Sequence, residues 1–274
     1  MKDMFNLRRV GVLGLFLVVL AFSATGALGA SNNRVIPDGA KRVSSNVYYL
    51  GKALDPARGD MVEGYAIVHP RQGYGKPAGT PGGGGKACYG FLAKGAKWKS
   101  LESWVVNPSN EDGISENSIF SIIDNGIAKW EDAADGAVGG GSVNILGNGS
   151  QTTATLVADT SSMDGANEVY FDTLDQGTIG VTIIWGIFGG PTFGRELREW
   201  DQIYNTFYPW ATDGDPDKMD FDNIATHELG HSVGMGDLYD SSCSEETMYG
   251  YGDYGETNKQ TLNGGDIAGI STLY

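Results

Sequence analysis

The stretch THELGHSVGMGDLYD, residues 226–240, places His227 and His231 four positions apart, with Glu228 beside the first. Residues four apart on an α-helix stand nearly one above the other, so both imidazoles can face one ion. Zinc accepts imidazole nitrogen and carboxylate oxygen, and its catalytic sites use three protein ligands with a position left for water. Glu228 can reach that water without binding the metal. The ion lowers the water's pKa and the carboxylate takes its proton, which makes a nucleophile available at neutral pH.

A third ligand has to come from beyond the helix. Gly234 can adopt the left-handed conformation that ends a helix and reverses the chain, which would swing Asp237 back toward the histidines. Glu245, Glu246 or Glu256 from a later segment is the alternative, and Asp240 a further one. The chain has only three histidines. The third, His69, ends a strand-like run in AIVHPRQG and is expected to be a bystander, with a role in latency as the alternative. Just before the motif, TDGDPDKMDFD sets out Asp213, Asp215 and Asp217. A solvated acidic loop is expected there, with Asp220 or Asp222 complementing the helix dipole. Calcium held by Asp213, Asp215 and Asp217 is the alternative, although the spacing is not that of an EF-hand.

These residues need a helix and a sheet to hold them. Ser115 is an N-cap candidate, Ile114 can staple against Ile119, and Ile119, Ile122, Ile123, Ile127 and Trp130 recur at helical spacing. ESWVVNP reads as a strand ended by Pro108, and SVNIL, TTATLV, NEVYF, GVTIIW and REWDQIYNTF read as further strands. A helix starting near Phe221 or Asp222 carries the motif, and DIAGISTLY spaces Ile267, Ile270 and Leu273 along a last one. That order predicts an α+β domain with one mixed or antiparallel sheet.

Lys2, Arg8 and Arg9 precede an apolar run from Val10 to Phe22 and small residues up to Ala30, the layout of a secretory signal. The run is shorter than the ~20 residues that span a bilayer, so removal is expected rather than retention as an anchor. Arg8-Arg9 also admits twin-arginine export. Residues 31–86 read as a pro-segment or accessory segment: two alternating runs, VYYLGKAL and VEGYAIVHP, then a linker around Gly82–Gly85 that cannot pack a core. Residues 87–274 are long enough for one catalytic domain. The whole chain carries −15, and with the three cations and one aspartate of residues 1–30 removed the rest carries −17. That balance argues against nucleic acid and anionic membranes as partners. Export makes a single disulfide the default for the two cysteines, Cys88 and Cys243. Asn148-Gly149-Ser150 fits a glycosylation acceptor.

H-E-x-x-H-x-x-G-x-x-D followed by TMYGYGDYGETNKQTLNGGDIAGISTLY resembles the metzincin zinc endopeptidases, in particular the matrixin-like branch as found in secreted microbial proteins with aspartate as third ligand. The resemblance implies a twisted, mostly parallel sheet with an antiparallel edge strand, an active-site helix, a methionine turn and a C-terminal helix. It implies one catalytic zinc on His227, His231 and Asp237, and Glu228 as general base. Met248 would be the structural floor. Extended peptide would pair along Val181, Thr182 and Ile183, with Tyr249 and Tyr251 lining the specificity pocket. Gly250 stands where the family has proline, and Cys88 lacks the flanks of the family's metal-capping cysteine, so capping is the alternative to a Cys88–Cys243 bond. The implied function is a secreted, monomeric, zinc-dependent endopeptidase. The competing expectations are an inactive surface-binding protein on the same scaffold and a zinc hydrolase of another substrate.

Overall fold

The alternating runs of the N-terminal segment form a hairpin of β1 (Lys41–Arg42), β2 (Val47–Leu54) and β3 (Met61–Pro70), each antiparallel to the next. Its turn is tied by Asp55, whose Oδ1 accepts the backbone N–H groups of Ala57 and Arg58 at 2.9 and 3.0 Å. The computed structural model describes residues 35–74, 87–135 and 143–274. The expected signal over 1–30 and most of the glycine-rich linker lie outside the described residues.

Further along come β4 (Trp104–Val106), α1 (Glu116–Ala134), β5 (Gly149–Gln151), β6 (Asn167–Asp172), β7 (Thr178–Ile187) and β8 (Glu196–Asn205). A two-stranded piece, β9 (Trp210–Ala211) with β10 (Met219–Asp220), leads into α2 (Phe221–Ser232), and α3 (Gly264–Leu273) closes the chain. The main sheet runs β1-β2-β3-β7-β8-β6-β4-β5. Within residues 87–274 the pairing is mostly parallel, β8 to β6 to β4 to β5, with β7 antiparallel on β8. This is the mixed α+β arrangement expected. One expectation is corrected: β7 is not an edge strand, because β3 pairs antiparallel along it from Glu63↔Gly186 to Pro70↔Thr178.

Two other expected strands are loops. In SVNIL, the Ile145 and Leu146 N–H groups donate to the Glu131 carboxylate at the end of α1, at 2.6 and 3.1 Å, rather than to a neighbouring strand. In TTATLV, Val157 is 68% exposed and its N–H is taken by the Glu168 side chain. β-propensity without a partner edge does not make a strand, since the backbone groups find side chains instead.

Helix α1 starts where expected: Ser115 accepts from the Ser118 N–H, and Ile119, Ile123, Ile127 and Trp130 are buried. Gly126 lets α2 close on it, because a Cβ there would stand 2.5 Å from Leu229 Cδ1. The Trp130 indole donates to the Thr226 carbonyl at 2.9 Å, fixing α2 against α1. Strand alternation sends Trp200, Tyr204 and Ile184 into the core shared with these helices, and Val181, Ile183, Trp185 and Ile203 into a second core on the other face. Each fully buried large side chain of this kind contributes roughly 1.5–3 kcal/mol.

Candidate metal centre

Helix α2 delivers the motif. Asp220 caps it by accepting from the Asn223 N–H at 2.9 Å, and Asp222 lies in the first turn, favourable to the dipole. The helix ends before Gly234, whose φ is 105° and whose Cβ, if present, would stand 2.9 Å from the Ala96 carbonyl oxygen. Glycine is therefore required there on two counts. The reversed chain returns Asp237, with Oδ1 at 3.2 Å from His227 Nε2 and 3.4 Å from His231 Nε2.

Each histidine is oriented through its other nitrogen. His227 Nδ1 lies 2.7 Å from the Thr247 carbonyl and His231 Nδ1 lies 3.0 Å from the Met235 carbonyl. In the neutral rings that a metal binds, donation to these oxygens would leave both Nε2 atoms as acceptors. Both are buried and without a hydrogen-bond partner. Buried polar atoms are seldom orphaned, so two basic nitrogens converging on one carboxylate fit a cation between them. The donor set, two imidazoles and a carboxylate, is one that zinc takes.

Glu228 is buried beside them. Its Oε2 accepts from the Thr182 hydroxyl, and its Oε1 lies 3.0 Å from His69 Nδ1. Burial raises the Glu228 pKa against the lowering pull of His227 and His231. For Asp237, burial pushes upward, but His231 and His227 overcome it and hold the carboxyl well below its usual range. In the metal-free protein His231 is the mirror case: burial lowers it, and the Asp237 charge wins and raises it to about 9. His227 is lowered to about 4 by burial and then by its histidine neighbours.

His69, expected to be a bystander, is instead part of this centre. It is buried, its ring lies 4.1 Å from that of His227, and burial followed by the Lys259 charge lowers its pKa to about 3. It is therefore a neutral ring. Nothing local in AIVHPRQG signals this; the placement depends on β3 pairing with β7.

The floor is built from the C-terminal segment. Met248 Sδ lies against Gly230, where a Cβ would come within 2.2 Å of the sulfur. Asp266, in the first turn of α3, accepts the Thr247 and Met248 N–H groups at 2.7 and 3.1 Å, so it holds the segment whose carbonyl orients His227. Sequence reasoning missed Asp266, and named Thr182 only for peptide pairing, not for its bond to Glu228. A capping box with Asn263 is the one local signal that Asp266 carries. Gly250 admits the Tyr239 ring, 2.6 Å from where a Cβ would stand. Tyr239, Tyr249 and Tyr251 pack edge to face beside it.

Val181 and Ile183 point into the second core and only Thr182 of the three faces the centre. Tyr251 lines a cavity of about 190 Å³ with Asn46, Val68 and Tyr239. A larger groove of about 520 Å³ reaches Asp237 between Asn46, Tyr65 and Ile67 on one side and Phe91, Leu92 and Phe188 on the other. Cys88 and Cys243 are bonded to each other, with Cα atoms 5.4 Å apart, so neither caps the centre. Asp213, Asp215 and Asp217 lie on a turn that Asp215 closes on the Asp217 N–H, and among the described residues they form no ligand cluster. A different acidic group, Asp159, Asp164 and Glu199, does bring its oxygens within 4.8 Å of one another.

A sheet of this order over a helix bearing two histidines, with a methionine floor and a C-terminal helix, is metzincin-like. Residues 152–274 match the family model of the matrixin peptidases, and over that stretch the chain is matrixin-like. A solved chain that is similar in part is metalloproteinase-II from Bacteroides fragilis, 13% identical, with 83% of this chain and 76% of that chain covered and a TM-score of 0.32. A search among curated proteins returned no match. Among the described residues no helix is long and apolar enough to cross a membrane.

Proposed function

We propose that the chain is a secreted, zinc-dependent endopeptidase whose metal is held by His227, His231 and Asp237. The observation that carries this is the pair of buried, partnerless Nε2 atoms converging on Asp237 Oδ1, with Glu228 next to them. Zinc bound there supplies Lewis acidity, polarising a peptide carbonyl and making water more acidic. Glu228 takes the proton of the attacking water as its oxygen adds to the carbonyl carbon. As the C–N bond breaks, the same carboxyl returns that proton to the leaving amine nitrogen. Its raised pKa in a buried setting suits both steps. Thr182 orients the carboxylate, and Thr247 and Met235 hold the imidazoles.

The test is casein digestion by the purified chain with metal analysis and a chelator control, beside Glu228→Ala. The variant is expected to keep its zinc and lose roughly 10²–10⁴-fold in kcat. Stoichiometric zinc with no cleavage under any condition would reject the peptidase in favour of a binding protein on the same scaffold.

A further inference from the structure

The groove that reaches Asp237 has apolar walls, with Tyr65 and Ile67 on one side and Phe91, Leu92 and Phe188 on the other. Its one charged lining residue is Asp237 itself. At about 520 Å³ it is of the size of a ligand site, roughly 300–1,000 Å³. The wall is tied to the loop that carries Asp237. The Leu92 N–H donates to the Gly234 carbonyl at 3.0 Å, and a Cβ on Gly236 would stand 3.1 Å from the Phe91 carbonyl carbon. A charged side chain would lose hydration between such walls, whereas a large apolar one gains by burial.

Two wall segments run on into a cationic rim. Ala93 continues into Lys94, Lys97 and Lys99, and Phe188 continues into the β7–β8 turn, which ends at Arg195. The two segments are bound together. Arg195 donates from Nη1 to the Lys94 carbonyl at 2.7 Å, and Lys99 Nζ donates to the Phe193 carbonyl at 2.9 Å. Lys94 and Lys99 are exposed, and Phe193 stands 84% exposed on the turn. In a chain of −15, residues 87–101 and 176–195 contain no Asp or Glu. Glu196 follows at once, but it is buried and held by Arg58 at 2.7 Å and Arg198 at 3.2 Å. Among the described residues Lys94, Lys97 and Arg195 have no carboxylate partner. Screening over about 8 Å at physiological salt lets such a rim act locally on a surface that otherwise repels acidic chains.

We propose that the groove and this rim together bind polypeptide segments in which a large apolar residue adjoins acidic ones, and that such segments are the preferred substrates of the metal centre. This rests on the endopeptidase reading given above and names its substrate class. The apolar side chain fills the groove beside Asp237, and the neighbouring carboxylates meet Lys94, Lys97, Lys99 and Arg195. Charges at a rim act mainly on association, so the preference is carried by KM and weakens with salt.

The experiment uses the purified, zinc-loaded chain and quenched fluorogenic peptides that share one Phe-containing core and carry Glu, Gln or Lys tails at either end. At low salt a Glu tail is expected to raise kcat/KM about tenfold over a Gln tail, and a Lys tail to lower it. The gap should close at about 0.5 M salt. Exchanging the core Phe for Ser should cost about another tenfold. Lys94→Glu combined with Lys97→Glu should invert the order, making the Lys-tailed peptide the better substrate. If that variant does not fold, Lys94→Gln, at an exposed position, decides by narrowing the gap. Equal kcat/KM for the three tails in the parent would overturn the inference, and so would a tail preference that the substitutions leave intact. In both of those cases cleavage itself keeps the endopeptidase reading standing. Fluorescence anisotropy of a labelled Glu-tailed peptide reads binding without cleavage. Preferential binding of that peptide with no cleavage of any would reject the endopeptidase reading and leave the surface as a binding site. Neither cleavage nor preferential binding would overturn both.

Discussion

Two clusters of titratable side chains lie on opposite faces of the same strands. On the helix side, His227, His231 and Asp237 converge next to Thr182 of β7. On the other side, Asp159, Asp164 and Glu199 converge beside β8. Both leave buried atoms without a partner: Nε2 of the two histidines in one, Asp159 Oδ2 and Glu199 Oε1 in the other. The difference is chemical. The histidine cluster has two imidazoles aimed by carbonyl hydrogen bonds at one carboxylate, so that charge is stabilised in place. The acidic cluster has like charges, and the neighbours that act most strongly on Glu199 after burial include Asp201 and Asp159. Together these raise its pKa to about 10. One cluster has a donor set that could hold a cation, and the other holds a proton.

The largest expected effect tests whether the cation site is confined to the first cluster. Asp237→Ala should lose most of the bound zinc, whereas Asp159→Asn should keep it; metal analysis after gel filtration reads the result. Zinc retained in Asp237→Ala would move the ligand role elsewhere. A smaller effect is expected from the support behind the histidines. Asp266→Asn removes the charge that holds the Thr247 and Met248 N–H groups, and zinc affinity should fall about tenfold, as measured by competition with a chelator. Unchanged affinity would mean that the backbone of this segment needs no such anchor.

The smallest effect concerns the acidic cluster. A carboxyl whose folded pKa lies above its unfolded value keeps its proton longer when folded. Its contribution to stability is therefore full below about pH 4.5 and is lost as pH rises toward about 10. The metal-free protein should therefore lose Tm between pH 5 and pH 9. Glu199→Gln should flatten that slope and raise Tm at pH 8 by roughly 2–4 °C for each kcal/mol recovered. A thermal scan at several pH values with chelator present checks this, and a slope unchanged by the substitution would rule out Glu199 as its source.

The clusters also differ in how far sequence could reveal them. His227, Glu228 and His231 were legible because helical geometry alone brings positions four apart together. Asp237 was legible because Gly234 forces the reversal at a known point. Glu199 stands forty residues beyond Asp159, and only the β6–β8 pairing and the loop before β6 bring them near each other. His69 is the sharper case, separated from Glu228 by 159 positions and joined to it through one register of antiparallel pairing. The loops misread as strands in SVNIL and TTATLV failed for a related reason: alternation records a preference, and a strand also needs an edge to pair with.

What the sequence determined by itself is therefore local and periodic. It specified the motif helix, the glycine turn behind it, the isoleucine face of α1, and the chemistry that two histidines and a carboxylate can perform. Tertiary structure alone decided that β7 carries β3, that His69 reaches the base and that Asp266 secures the floor. Strand register joins β3 to β7 at separations no local rule constrains, and a shift of one position would turn His69 to the opposite face. Asp266 reaches the floor instead from the first turn of α3, whose packing no local rule fixes either.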